Sequence, residues 1–94
     1  MIQATSLIAL EEVLSKINER QKQVLMAFKI LNKPSNNLMI SRFTGLPINC
    51  TTPRCNELRK KGLIIYHHTG SCPVTNRATR FYVLKEWINQ VLVN

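Results

Sequence analysis

Acidic residues are the scarcest chemical resource of this chain. Five of its 94 residues are acidic and thirteen are lysine or arginine, a net charge of +8. Between residues 20 and 85 a single acid, Glu57, stands among twelve basic residues, so that stretch carries +11. The ends are different: residues 1–19 hold Lys16 against Glu11, Glu12 and Glu19, and residues 86–94 hold Glu86 alone. With one central carboxylate, a carboxylate pair for acid–base work is excluded there. Glycine is also scarce, at three residues. The chain has no Gly-rich phosphate loop and no HExxH pattern. No catalytic residue is assigned and no enzymatic activity is expected.

Cysteine is sparse and odd in number: Cys50, Cys55 and Cys72. That count excludes a disulfide framework and points to a reducing cytoplasm. The sequence contains no CxxC or HxxxH pair. Cys50 and Cys55 would lie about 140° apart around a helix, too far to clamp an ion. His67 and His68 are neighbours on an expected strand, where adjacent side chains point to opposite faces. No metal and no cofactor are therefore expected. Cys55 reads as a small core residue, and Cys72 as a candidate redox-sensitive thiol. The six aromatic residues fall mostly on apolar faces, which argues against base stacking along a single strand. The opening MIQATSLIALEEVL lacks a basic leader and gains acids within a dozen residues. Neither a signal peptide nor a membrane span is expected in it.

The chain does have enough apolar residues, 45%, for one small globular domain. Leu7, Leu10, Leu14 and Ile17 recur at helical spacing, predicting a helix over 6–17 with Ser6 as N-cap. A second helix is expected from Asn18, with Val24, Leu25, Phe28 and Leu31 buried, ended by Asn32-Lys33-Pro34. Ser35-Asn36-Asn37 supplies capping chemistry for a short helix through Leu38, Ile40 or Met39, and Phe43, stopping at Thr44-Gly45. A further helix begins between Pro47 and Thr52 and runs to Lys61, with Pro53 in its first turn and Gly62 as a left-handed cap. Leu63–His67 reads as a strand and 69–77 as a hairpin tip. Thr79–Leu84 reads as the returning strand and 86–93 as a last helix bearing Trp87, Ile88, Val91 and Leu92.

Two helices joined by a Gly-containing turn and followed by a β-hairpin make a winged helix-turn-helix: mainly α with a β-hairpin wing, class α+β. The stretch TGLPINCTTPRCNELRKKGLI, Thr44 to Ile64, resembles the helix-turn-helix of the MarR-type winged-helix regulators. It is more similar still to small phage and prophage winged-helix proteins with a T-G-L-P-x-N-x-x-T-P-R-x-x-E-L-x-x-x-G-L-[IV] run. Thr44, Gly45, Leu46, Pro47, Asn49, Thr52, Pro53, Arg54, Glu57, Leu58, Gly62 and Leu63 match it. Cys72, Thr75 and Arg77 match the hairpin, and Asn76 stands where many such relatives have glycine. The resemblance covers about 18–85 and implies the fold and a capacity to bind DNA. Residues 1–17 and 86–94 flank that core within one domain, 1–94, and by the same resemblance form a homodimer seam.

If the helix covers 49–61, Thr51, Cys55 and Leu58 share an inner face with Ile48 just before it. Asn49, Thr52, Pro53, Asn56 and Lys60 then lie on the opposite arc, suited to the major groove of double-stranded DNA. Asn49 and Asn56 fit adenine edges. Thr52 serves either as reader or as N-cap for Pro53. Arg54 reaches either DNA or Glu57. Arg42, Arg59, Lys60 and Lys61 are phosphate-type residues, although a basic last turn also suits the helix dipole. Thr75, Asn76, Arg77 and Arg80 belong to the wing, with Arg77 the minor-groove candidate. The function expected is a sequence-specific DNA-binding regulator of phage or mobile-element type, cytoplasmic and nucleoid-associated. The alternatives are a module that binds a host protein, such as an inhibitor, and an architectural accessory of replication or recombination.

Overall fold

The computed structural model describes residues 4–92. Among them are five helices and one two-stranded antiparallel sheet, an α+β arrangement. In chain order these are α1 (Ala4–Ser15), α2 (Glu19–Leu31), α3 (Asn37–Thr44), α4 (Ile48–Lys60), β1 (Ile64–Ser71), β2 (Ala78–Leu84) and α5 (Glu86–Val91).

Local chemistry sets most of the boundaries. Asn18 caps α2, accepting from the Gln21 N–H at 2.9 Å while the Gln21 side chain accepts from the Asn18 N–H. Asn32 closes α2 in a left-handed conformation, φ 49°. Asn36 caps α3 through a 2.9 Å bond from the Met39 N–H, and Gly45, φ 78°, ends it. Gly62, φ 74°, lets the chain leave α4: its N–H reaches the Arg59 carbonyl and that of Leu63 reaches Leu58.

Several expectations fail at this level. α1 begins at Ala4, so Ser6 lies inside its first turn rather than ahead of it, and Ile17 lies beyond its end. Pro47, not Thr52, stands at the N-cap position of α4. That places Pro53 in the second turn. Val93, expected in the last helix, is outside the described residues. The strands run further toward the tip than expected, through Ser71 and back from Ala78, leaving 72–77 as the turn.

The core gathers Leu10, Ile17, Val24, Leu25, Phe28, Ile40, Leu46, Cys55, Leu58, Leu63, Ile64, Leu84, Ile88, Val91 and Leu92. Every described helix and both strands contribute to it. α5 packs on α1, with Ile88 and Val91 buried and Trp87 partly covered. Phe43 and Ile48, expected on inner faces, are exposed at 46% and 45%. The turn 45–47 explains both. It swings α4 so that Thr51, Cys55 and Leu58 fill the seam against α2 and α3, and the ends of the turn are left outside.

The hairpin is fixed to the helices by backbone. Ser35 exchanges two hydrogen bonds with Tyr82, 3.0 and 2.9 Å, in an isolated bridge beside β2. A β-bulge between Tyr66 and His68 breaks the register at His67. It overturns the expectation that His67 and His68 face opposite ways: their Nδ1 atoms lie 2.7 Å apart, and His68 stacks on Phe81. An extra residue in one strand resets the alternation. No group of three or more metal-binding side chains occurs among the described residues. No helix of the described residues is long and apolar enough to cross a membrane.

Candidate nucleic-acid interface

α4 sets the geometry. Thr51, Cys55 and Leu58 are buried and define its inner line. At about 100° per residue, the outermost positions are Asn49, Pro53, Asn56 and Lys60. All four are exposed. Thr51 stays inside because its hydroxyl donates to the Pro47 carbonyl at 3.0 Å. Pro53 has no N–H to give to the carbonyl of Asn49 four residues earlier. The Asn49 backbone therefore presents an unclaimed helical acceptor beside its own side-chain amide. Among the described residues the Asn49 and Asn56 side chains make no hydrogen bond, so neither is spent on the fold.

The two flanks of α4 differ. On the α2 side Arg54 is locked. Its Nε and Nη2 donate to the two Glu57 oxygens at 2.7 and 2.8 Å, and Gln21 Nε2 donates to Oε1 of the same carboxylate at 2.8 Å. Of the two sequence readings of Arg54, this is the ion pair. The Glu57 hydrogen bond raises the Arg54 guanidinium further above its usual range. The Arg54 bond first, then the Gln21 bond, holds the Glu57 carboxyl below its ordinary 4.5. Gln21 was not legible as a partner of Glu57, although the N-x-x-Q spacing from Asn18 signals its capping role.

The sign of that shift sets a pH dependence. A depressed folded value stabilises the fold above the unfolded value and loses that stabilisation as pH falls through the folded one. The thermal midpoint is expected to drop as pH is lowered below about 4.5, the ordinary value for this group. Glu57→Gln is expected to flatten that part of the curve, read by thermal melts across an acid series. The effect is small, because Glu57 is 38% exposed and water screens the pair.

On the other flank α4 meets the hairpin. Arg59 from α4, Tyr66 and Thr69 from β1, and Arg80 and Tyr82 from β2 line one groove. The register explains the set: Tyr66 pairs with Tyr82 and Thr69 with Arg80. The two tyrosine rings meet edge to face at 6.3 Å, and the Tyr66 and Thr69 hydroxyls share a 2.8 Å hydrogen bond. Two guanidinium groups and three hydroxyls on one concave surface suit an anion such as a phosphate or carboxylate. Arg59 and Arg80 were expected from the sequence. The tyrosines were missed, and the alternation of Arg80 and Tyr82 along β2 was their signal.

At the tip, Asn76 adopts a left-handed conformation, φ 59°. The turn closes by Cys72 N–H to the Arg77 carbonyl and Asn76 N–H to the Cys72 carbonyl, both 2.8 Å. Thr75, Asn76 and Arg77 are exposed there, and Arg42 is exposed on α3. Only Lys22 and Arg54 pair with acids among the described residues, so most of the basic charge is uncompensated. The α4 arc, the Arg59–Arg80 groove and the tip are each polar or basic and exposed. Thr52 is partly buried on α4, and Arg54 is held by Glu57.

Compared with models of protein families, with curated proteins and with solved structures, the chain matches none.

Proposed function

We propose that this chain is a winged helix-turn-helix protein that binds double-stranded DNA sequence-specifically, as a transcriptional regulator of phage or mobile-element type. α3 and α4 form the helix-turn-helix, α4 enters the major groove, and the hairpin is the wing. The observation that carries the reading is the outer arc of α4. Asn49 and Asn56 are exposed and unspent, and the basic groove of Arg59 and Arg80 lies beside them. An amide reads the adenine edge with two hydrogen bonds, and arginines beside it hold phosphates on either side. Arg42, Lys60 and Arg77 extend the phosphate track, with Arg77 at the wing tip directed to the minor groove. Arg54 acts through Glu57, holding α4 to α2. The reading needs no cofactor or catalysis, and places the protein in the cell interior with the nucleoid.

Two copies suit a palindromic site with half-sites about one helical turn apart. α5 spends its apolar residues within the chain, so the seam falls on α1, where Leu7 and Ile8 are 45% and 56% exposed. The protein-partner reading draws on a different observation: Phe43 and Ile48 stand exposed at the two ends of the turn before α4.

The experiment is a selection from randomised duplexes, with the mass of the bound complex measured. The expected result is one enriched palindrome carrying two chains. Asn49→Ala and Asn56→Ala should each relax base preference by roughly 1–3 kcal/mol at one position. Binding that never prefers a sequence would overturn the regulator and favour the architectural or protein-partner alternative.

A further inference from the structure

The thiol of Cys72 sits where the hairpin tip meets the start of α3. It is only 3% exposed, yet the turn over it, 73–77, is exposed throughout. Its hydrogen-bonding neighbours are donors. The backbone N–H groups of Thr75 and Val74, the Thr75 hydroxyl and the Asn36 amide face the sulfur. Asn36 is 2% exposed, and its Oδ1 is already used to cap α3. Its Nδ2 is buried with no hydrogen-bond partner of good geometry, and the Cys72 sulfur is the group before it. A neutral thiol is a weak acceptor and leaves that donor unsatisfied. A thiolate, or an oxygen bonded to the sulfur, completes it.

We propose that Cys72 is a site of reversible oxidation by hydrogen peroxide, with Asn36 Nδ2 holding the added oxygen. The thiolate sulfur attacks one peroxide oxygen. An S–O bond forms, the O–O bond breaks, sulfur loses two electrons and hydroxide leaves, giving the sulfenic acid. A small thiol then condenses with it, releasing water and forming a mixed disulfide that a second thiol reduces. Because Cys72 also closes the tip turn through its backbone, oxidation there acts on Asn76 and Arg77. Because Asn36 caps α3, the same event is felt at the first helix of the helix-turn-helix. The inference concerns the thiol itself and holds whatever the basic face binds.

The rest of the chain supplies a contrast. Burial pushes the Cys55 thiol up to about 12, so it is inert at neutral pH. The donors around Cys72, led by the Thr75 N–H, bring that thiol down to about 7. A free cysteine near 8.5 is roughly 3% thiolate at pH 7, against about half for a thiol near 7. A lower value also weakens the nucleophile, leaving a net gain of about threefold.

The test uses a Cys50→Ser protein, hydrogen peroxide and a sulfenic-acid trap, with the adduct located by mass spectrometry. The expected adduct is on Cys72, formed about threefold faster in the folded protein than in urea, and absent from Cys72→Ser. Asn36→Asp keeps a carboxylate oxygen to cap α3, removes the Nδ2 donor and sets a negative charge beside the sulfur; it should slow trapping about threefold, to the rate of the unfolded chain, while the melting curve stays cooperative. Thr75→Val, outside any helix, supplies the same comparison should Asn36→Asp not fold. A folded protein slower than the unfolded chain, or a rate indifferent to whichever donor substitution folds, would overturn the proposal.

Discussion

Replacing Arg59, Lys60, Arg77 and Arg80 together with glutamine is expected to nearly abolish binding to duplex DNA at physiological salt. The reason is counterion release. Each phosphate contact contributes about 0.9 to the slope of log affinity against log salt, so four lower it by about 3.6. At about 0.1 M salt that is roughly three to four powers of ten in affinity. None of the four pairs with an acid among the described residues, so the fold should not depend on their charge. The check is a salt titration of binding by fluorescence anisotropy, with a thermal melt of each protein. An unchanged slope would remove the α4–hairpin face from the DNA interface. A slope reduced alike for all sequences, with base preference kept, would separate phosphate contacts from the readout assigned to Asn49 and Asn56.

The second large effect is on stability. Leu58→Ala should cost about 2–5 kcal/mol, because the side chain is fully buried in the seam of α4 against the rest of the core. A domain of this size has on the order of 5–14 kcal/mol in total. The melting temperature should fall by roughly 10–30 °C. Ile48→Ala, ten residues earlier on the same helix, should change stability by no more than about 0.5 kcal/mol, since Ile48 is 45% exposed. Denaturant titration of both variants checks the pair. Equal losses would mean that α4 is rotated from the position described.

That pair of residues shows how far the sequence could be read. Thr51, Cys55 and Leu58 were visible as an inner face because helical spacing alone groups them, and all three are buried. Ile48 fits the same spacing and is outside. Periodicity gives the angle of a residue around its helix but not where the neighbouring helices end. Pro53 was misplaced for a related reason. Thr52-Pro53 looks like a cap followed by a first-turn proline, but the helix starts at Ile48 because the turn after Gly45 already sets its direction.

Arg54 is the residue that sequence left open and the structure decided. Its three-residue spacing from Glu57 allowed an ion pair. What fixes the pair is Gln21, thirty-six residues before Glu57 in the chain, donating to the same carboxylate. His67 and His68 were misread because a bulge depends on the partner strand, which alternation along one strand does not reveal. The Arg59, Tyr66, Arg80 and Tyr82 groove escaped for the same reason: its members come from three elements, brought together only by register and by the packing of α4 on β1.

By itself the sequence determined the element order, a cap for α3 within 35–37, the stops at Gly45 and Gly62, and the concentration of positive charge in the middle of the chain. Each follows from local sterics, short-range hydrogen bonding or composition, which need no distant partner. Tertiary structure alone decided where α4 begins and that Ile48 falls outside its buried face, which arginine is tied down, and which donors surround Cys72. Those depend on contacts between segments far apart in sequence, and such contacts are settled only when the core closes and each polar group must find a partner or remain in water.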